Sequence, residues 1–268
     1  MSHLHIPDGV LPLPWILAGF GATAILLLFA VSSIRHQDRA RTVPRIAILS
    51  AVMLLAMSLP IPVLHYHVNF TVLTGMMAGP AEGFIAGFIT NLILALGAHG
   101  GITVIGLNTL ITGLEITLGW LLWSLFGSRK GRPFVKTAII TIIVLAVSTT
   151  AMLGIVAGTE INPSLVIHDH HTHTVHEEDE PFDEADHLLP DHDSHEHDPD
   201  SDTRLASFKT FATIVYTAGI VGWAIEAVIT GSVVQFISES RPDLIGMDTL
   251  PVPGDDDDEE EPRRTGEA

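Results

Sequence analysis

Runs of about 18 or more residues without a charge recur along this chain, separated by short polar connections, and that length is what a helix needs to cross a hydrocarbon core of roughly 30 Å. Residues 12–34 predict a first helix. Residues 46–64 predict a second, ending in SLPIPVLHYH where Pro60 and Pro62 break it. Beyond it three crossings are expected before the next basic loop, divided at AGPAEG (78–83) and GAHGG (97–101), because Gly-Pro and Gly-Gly punctuate most strongly. The first of these, about 67–79, is too short for a full lipid-facing span and is expected to be half-buried or re-entrant within protein. Residues 137–157 and 206–238 predict the last two. The pattern is that of an all-α membrane protein with about seven transmembrane helices.

Charge supplies the orientation. Arg35, Arg39, Arg41 and Arg45 share one connection and Arg129, Lys130, Arg132 and Lys136 another, so the positive-inside rule places both in the cytoplasm, the amino terminus outside and the carboxyl terminus inside. The domain reading follows: an external amino-terminal segment 1–11, a transmembrane core in two parts (12–157 and 206–245), an external loop 158–205 and an acidic cytoplasmic tail 246–268. Loop and tail are expected to be disordered, being polar and aperiodic. No signal peptide is expected, since His3, His5 and Asp8 precede the first apolar run without a basic region or cleavage site. The net charge of −18 comes mostly from residues 160–202 and 255–261, which argues against a nucleic-acid partner.

With no cysteine in the chain, a transition metal would have to be held by nitrogen or oxygen. Nine of the fifteen histidines lie in the external loop among many acids, a composition that suits low-affinity collection of divalent metal. The others of interest, His3, His5, His65, His67 and His99, are all predicted at one membrane face, and their convergence there makes a metal site. Asn69 and Asn108 are candidates to orient loops near an ion, or to bond helix to helix. Glu115 and Glu226 stand inside apolar segments and must have partners. Glu226 is a candidate for contact with a membrane partner or for pairing within the bundle. Gly79, Gly83 and Gly87 repeat every four residues and permit close helix approach, either internally or to a partner subunit. No phosphate-cradling GxxxxGK[ST] motif and no HExxH zinc signature occur, so the chain is not expected to be an enzyme or to hydrolyse ATP itself.

HIPDGVL, HVNFTVLTGMMAGP, AHGGITVIGLNTL and EAVITGSVVQFISESRPDL occur in this order. Over about residues 3–128 and 206–245 the chain thereby resembles the CbiM/NikM family, the substrate-binding membrane components of energy-coupling-factor cobalt and nickel importers. The resemblance implies capture of the ion at the outer face by the terminal amine, a deprotonated backbone amide, the following histidine's imidazole and a loop histidine. By motif these histidines are His5 and His67, with Asp8 and Gly9 shaping the turn. Three residues precede Leu4, where the family pattern would have its terminal methionine. If Met1 is excised, Ser2 supplies the amine and His3 the amide and imidazole, with His5 an extra ligand or supporting partner. If Met1 is kept, Met1, Ser2 and His3 chelate. If Leu4 marks the true start, His5 does. Four in-plane nitrogens favour Ni(II) by geometry, whereas AHGG resembles the cobalt members; the reading leans to Co(II) as cargo, with no resident cofactor. Implied partners are a transmembrane coupling subunit and two ATPase subunits, with a small accessory membrane protein as a further candidate, in the cell membrane. The rivals are a stand-alone secondary carrier and a metal sensor that transports nothing.

Overall fold

The computed structural model describes residues 11–59, 67–97, 101–127, 132–158 and 201–245. Ser2, His3, His5, His65, His99, most of the acidic loop and the tail lie outside them. The helices are α1 (Leu13–Ile34), α2 (Arg39–Ser58), α3 (Thr71–Leu96), α4 (Ile105–Phe126), α5 (Pro133–Gly158) and α6 (Ser201–Ser240), followed by a 3-10 turn at Pro242–Ile245. No strand occurs among the described residues. All six helices are long and apolar enough to cross a membrane. Among the described residues that gives six, so the expected count of seven is not confirmed, and within the described residues the departure from the expectation lies in α3.

Gly79, within α3, has φ 73° and ψ −176°, a backbone region open essentially to glycine alone. Pro80 follows; it has no N–H to lose and its φ is preset for a first helical turn. The chain reverses here. A methyl group on Gly83 would lie 3.7 Å from Thr74 Cγ2, and Gly75 and Gly83 both pack on Ile116, contacts that a straight helix would separate by more than two turns. The expected division at AGPAEG is therefore a turn inside one element, between a first arm (71–78) and a second (80–96). The first arm is about 12 Å long by helical rise, too short to cross alone.

α2 begins earlier than the charge pattern suggests, at Arg39 instead of about residue 46. Asp38 Oδ1 accepts the Ala40 N–H at 3.0 Å and caps the helix, so the arginine cluster is drawn into its first turns, and Pro44 is tolerated near that end. α5 likewise starts on Pro133 and α6 reaches back to Ser201, inside the segment expected to be loop.

Packing defines two ends. At one, Leu11, Val104, Leu107, Met152, Val156 and Phe211 form a core where α1, α4 and α6 start and α5 finishes. At the other, Trp123, Ile140, Val234 and Ile245 gather, and Trp123 Nε1 donates to the Ile245 carbonyl at 3.2 Å. α2 runs parallel to the second arm of α3: Arg45 meets Glu82, Ser50 meets Ala86 and Thr90, and Met53 and Met57 meet Leu94. α4 runs antiparallel to that arm, Gly113 lying on Phe84 and Thr112 on Gly87. Leu13, Leu17, Ile25, Leu28 and Phe29 on α1 are exposed, as a lipid-facing helix requires.

Candidate functional site

Residues 67–70 carry no helix and lead into the first arm of α3. His67 is half-buried; Val68 and Asn69 are buried, so this irregular backbone lies within protein, where a membrane fold can tolerate it. Asn69 Oδ1 accepts the Thr71 N–H at 3.2 Å, capping the arm. Its amide nitrogen is left to donate, and does so to Glu115 Oε2 at 2.9 Å. Thr71 Oγ1 reaches the same oxygen at 2.7 Å. From α5, the Ser148 hydroxyl donates to Glu115 Oε1.

Glu115 lies halfway along α4 and is 1% exposed. Removing a carboxylate from water costs several kcal/mol unless charge or donors replace the water. Here two side chains from the 69–71 turn, one from α5 and the positive end of the first arm's peptide dipoles do so. The turn is held in an unusual shape: Phe70, between Asn69 and Thr71, has φ 55° and ψ 21°, the left-handed region that costs a non-glycine residue about 1–2 kcal/mol. That conformation swings the chain from the irregular 67–69 stretch into the arm.

The structure thus joins His67, Asn69 and Glu115, which the sequence singled out separately, into one region. Asn108 is buried in the first turn of α4, about two turns from Glu115. Gly83 and Gly87 face inward on Ile116 and Thr112, and Gly79 makes the turn beside Trp120, so this stripe serves packing within the bundle. Glu226 is fully buried on α6. Among the described residues no three histidines or acids are grouped to hold a metal. Thr71 and Ser148 were not singled out from sequence. Asn-x-Thr at the mouth of a helix was the available sign for Thr71; Ser148, in an apolar run, carried none.

Residues 5–244 match the family CbiM, described as the cobalt uptake substrate-specific transmembrane region. A putative cobalt transport protein CbiM 1 of Methanosphaerula palustris is 28% identical over 120 residues, covering 41% of this chain and 51% of that protein. The chain spans about half the length of this curated relative. Two solved structures, a transition metal transporter and a truncated one, share the fold with TM-scores of 0.63 and 0.62 at 20% and 21% identity. Both cover 88% of this chain, and 93% and 99% of their own.

Proposed function

Since the chain belongs to the CbiM family of cobalt-uptake transmembrane proteins, we propose that it is the metal-capturing subunit of an ATP-driven energy-coupling-factor importer for cobalt or nickel ions. The family match across residues 5–244 carries this reading. In it, the end of the bundle that holds Leu11 faces outward and the arginine-rich connection Arg35–Arg45 faces the cytoplasm. Leu11 anchors the amino-terminal segment, and ten residues reach at most about 36 Å. The terminal amine, a backbone amide and the imidazole of His3 or His5 chelate the ion, and His67 closes the plane. Asn69 and Asn108 order the surrounding turns, with His65 and His99 in support. The acidic, histidine-rich loop gathers ions without being the tight site.

Translocation then needs a coupling subunit in the membrane and two ATPase subunits, because no phosphate-binding motif occurs in this chain. The test combines intact-mass spectrometry of the purified protein, fixing its first residue and bound metal, with uptake in vesicles reconstituted with those partners. ATP-dependent accumulation of cobalt or nickel is expected. Uptake by this chain alone would identify a secondary carrier, and binding without uptake in the full complex a sensor.

A further inference from the structure

We propose that Glu115 is a positioning residue of the metal site, setting the depth and orientation of His67 without touching the ion; this rests on His67 being a ligand. Only Val68, itself buried, separates His67 from Asn69, so the two α-carbons lie within about 7 Å along the chain. Asn69 and Thr71 are both tied to Glu115 Oε2, one on each side of left-handed Phe70. A residue in that region persists when its surroundings over-determine it. Releasing the two tethers lets Phe70 relax and the 67–69 stretch swing, and His67 moves with it.

The hydrogen bonds also say why the residue is an acid. Asn69 spends its oxygen on the Thr71 N–H and can offer Glu115 only N–H. Ser148 offers O–H to the other oxygen. A carboxylate accepts at both ends; an amide can hold Asn69 and Thr71 only by turning its NH2 on Ser148, whose hydroxyl would then have to accept, and its neutral oxygen makes weaker bonds than a carboxylate. A glutamine would turn an NH2 toward either Ser148 or the Asn69–Thr71 pair. Packing alone would be served as well by an apolar residue at this depth, so a buried acid with donors converging from two segments points to a geometric task.

The test uses the full chain purified in detergent and loaded with Cu(II), whose electron paramagnetic resonance counts in-plane nitrogens, alongside Ni(II) titration. Wild type is expected to show four nitrogens and His67→Ala three. Glu115→Gln should show the three-nitrogen spectrum with about 10- to 100-fold weaker Ni(II) binding and an unchanged helical content. Adding Asn69→Asp to Glu115→Gln moves the carboxylate across the same hydrogen bond and should restore the fourth nitrogen, a rescue that a purely structural role at position 115 would not produce in the metal spectrum. Four nitrogens and native affinity in Glu115→Gln, with three in His67→Ala, overturn the positioning role alone. An unchanged spectrum in His67→Ala overturns the ligand assignment, and the proposal with it. Should Glu115→Gln not fold, Thr71→Val removes one tether and keeps the acid; a mixture of three- and four-nitrogen signals is expected, and a native spectrum refutes the proposal.

Discussion

Gly106 offers a sharp test of how α1, which carries the amino-terminal segment, is held. A β-carbon there would stand 2.6 Å from both the Gly19 carbonyl carbon and the Phe20 nitrogen of α1, about 0.8 Å inside the 3.4 Å at which ordinary contact begins. Those neighbours are backbone and cannot rotate away, and Thr23 Oγ1 bonds the Gly106 carbonyl at 2.7 Å across the same crossing. Gly106→Ala must push the helices apart, which places it at the upper end of overpacking costs, about 3 kcal/mol. For a chain of this size that corresponds to a melting-temperature fall of about 6–12 °C. Gly19→Ala meets Leu107 Cγ at 2.6 Å and the Leu107 backbone nitrogen at 3.1 Å; the side chain can repack in part but the backbone cannot, so about 2 kcal/mol is expected. Gly154→Ala, with nothing within 4 Å, should be neutral or slightly stabilising, because alanine is the better helix former. The assay is thermal unfolding of the three purified variants in one detergent. Gly106→Ala melting together with Gly154→Ala would refute the close crossing, and Gly19→Ala melting below Gly106→Ala would refute the distinction between backbone and side-chain neighbours.

Acetylating the terminal amine should abolish tight Ni(II) or Co(II) binding with every histidine intact, whereas His36→Ala, exposed at the opposite end of the bundle, should leave it unchanged; both are read by titration calorimetry. Binding should also weaken as pH falls, because protons compete for the same nitrogens. Deleting residues 168–202 should raise the metal concentration needed for uptake while leaving one ion bound per chain in detergent. Arg45 Nη1 lies 3.4 Å from Glu82 Oε2; the arginine is half-exposed and the acid nearly buried. Arg45→Ala therefore strands a buried carboxylate and should cost about 2 kcal/mol, less than a fully buried pair because Arg45 is in part solvated. Adding Glu82→Gln should recover part of that loss in a thermal-unfolding cycle.

The apolar runs were legible because a membrane helix must satisfy its own backbone over a fixed length, and the ends of α1 were read to within a residue or two. Boundaries set by side-chain capping were not: Asp38 draws three arginines and a proline into the register of α2, against the charge pattern. Gly79 and Pro80 were recognised as a break, but whether a break separates two spans or folds one element back depends on what the arms pack against, here Ile116 and Trp120 on α4. The short first arm, expected to be half-buried or re-entrant, is indeed buried over residues 71–76. At the site, Asn69 stood out as a residue that orders a loop or bonds helices and Glu115 as an acid in need of partners, yet only the three-dimensional fold brings residues 46 positions apart into a hydrogen bond. Ser148 stayed hidden because a serine in an apolar run is equally at home bonding its own helix, as Thr150 does to the Ala146 carbonyl.

The reversal at Gly79 also bears on how the chain is made. α2 and the second arm of α3 point the same way, although one follows the other along the chain. A ribosome-bound chain threading its hydrophobic segments in turn would lay the second of them down inverted unless the stretch between carries it back across. That stretch includes the first arm, eight helical residues that insertion machinery would not recognise as a span. The insertion sense of everything downstream thus hangs on a short segment, which gains its burial only after the second arm and α4 have emerged. In the orientation proposed above, the arginines and lysines after α4 would act as the safeguard: in the inverted arrangement they would have to be exported, which the positive-inside bias opposes.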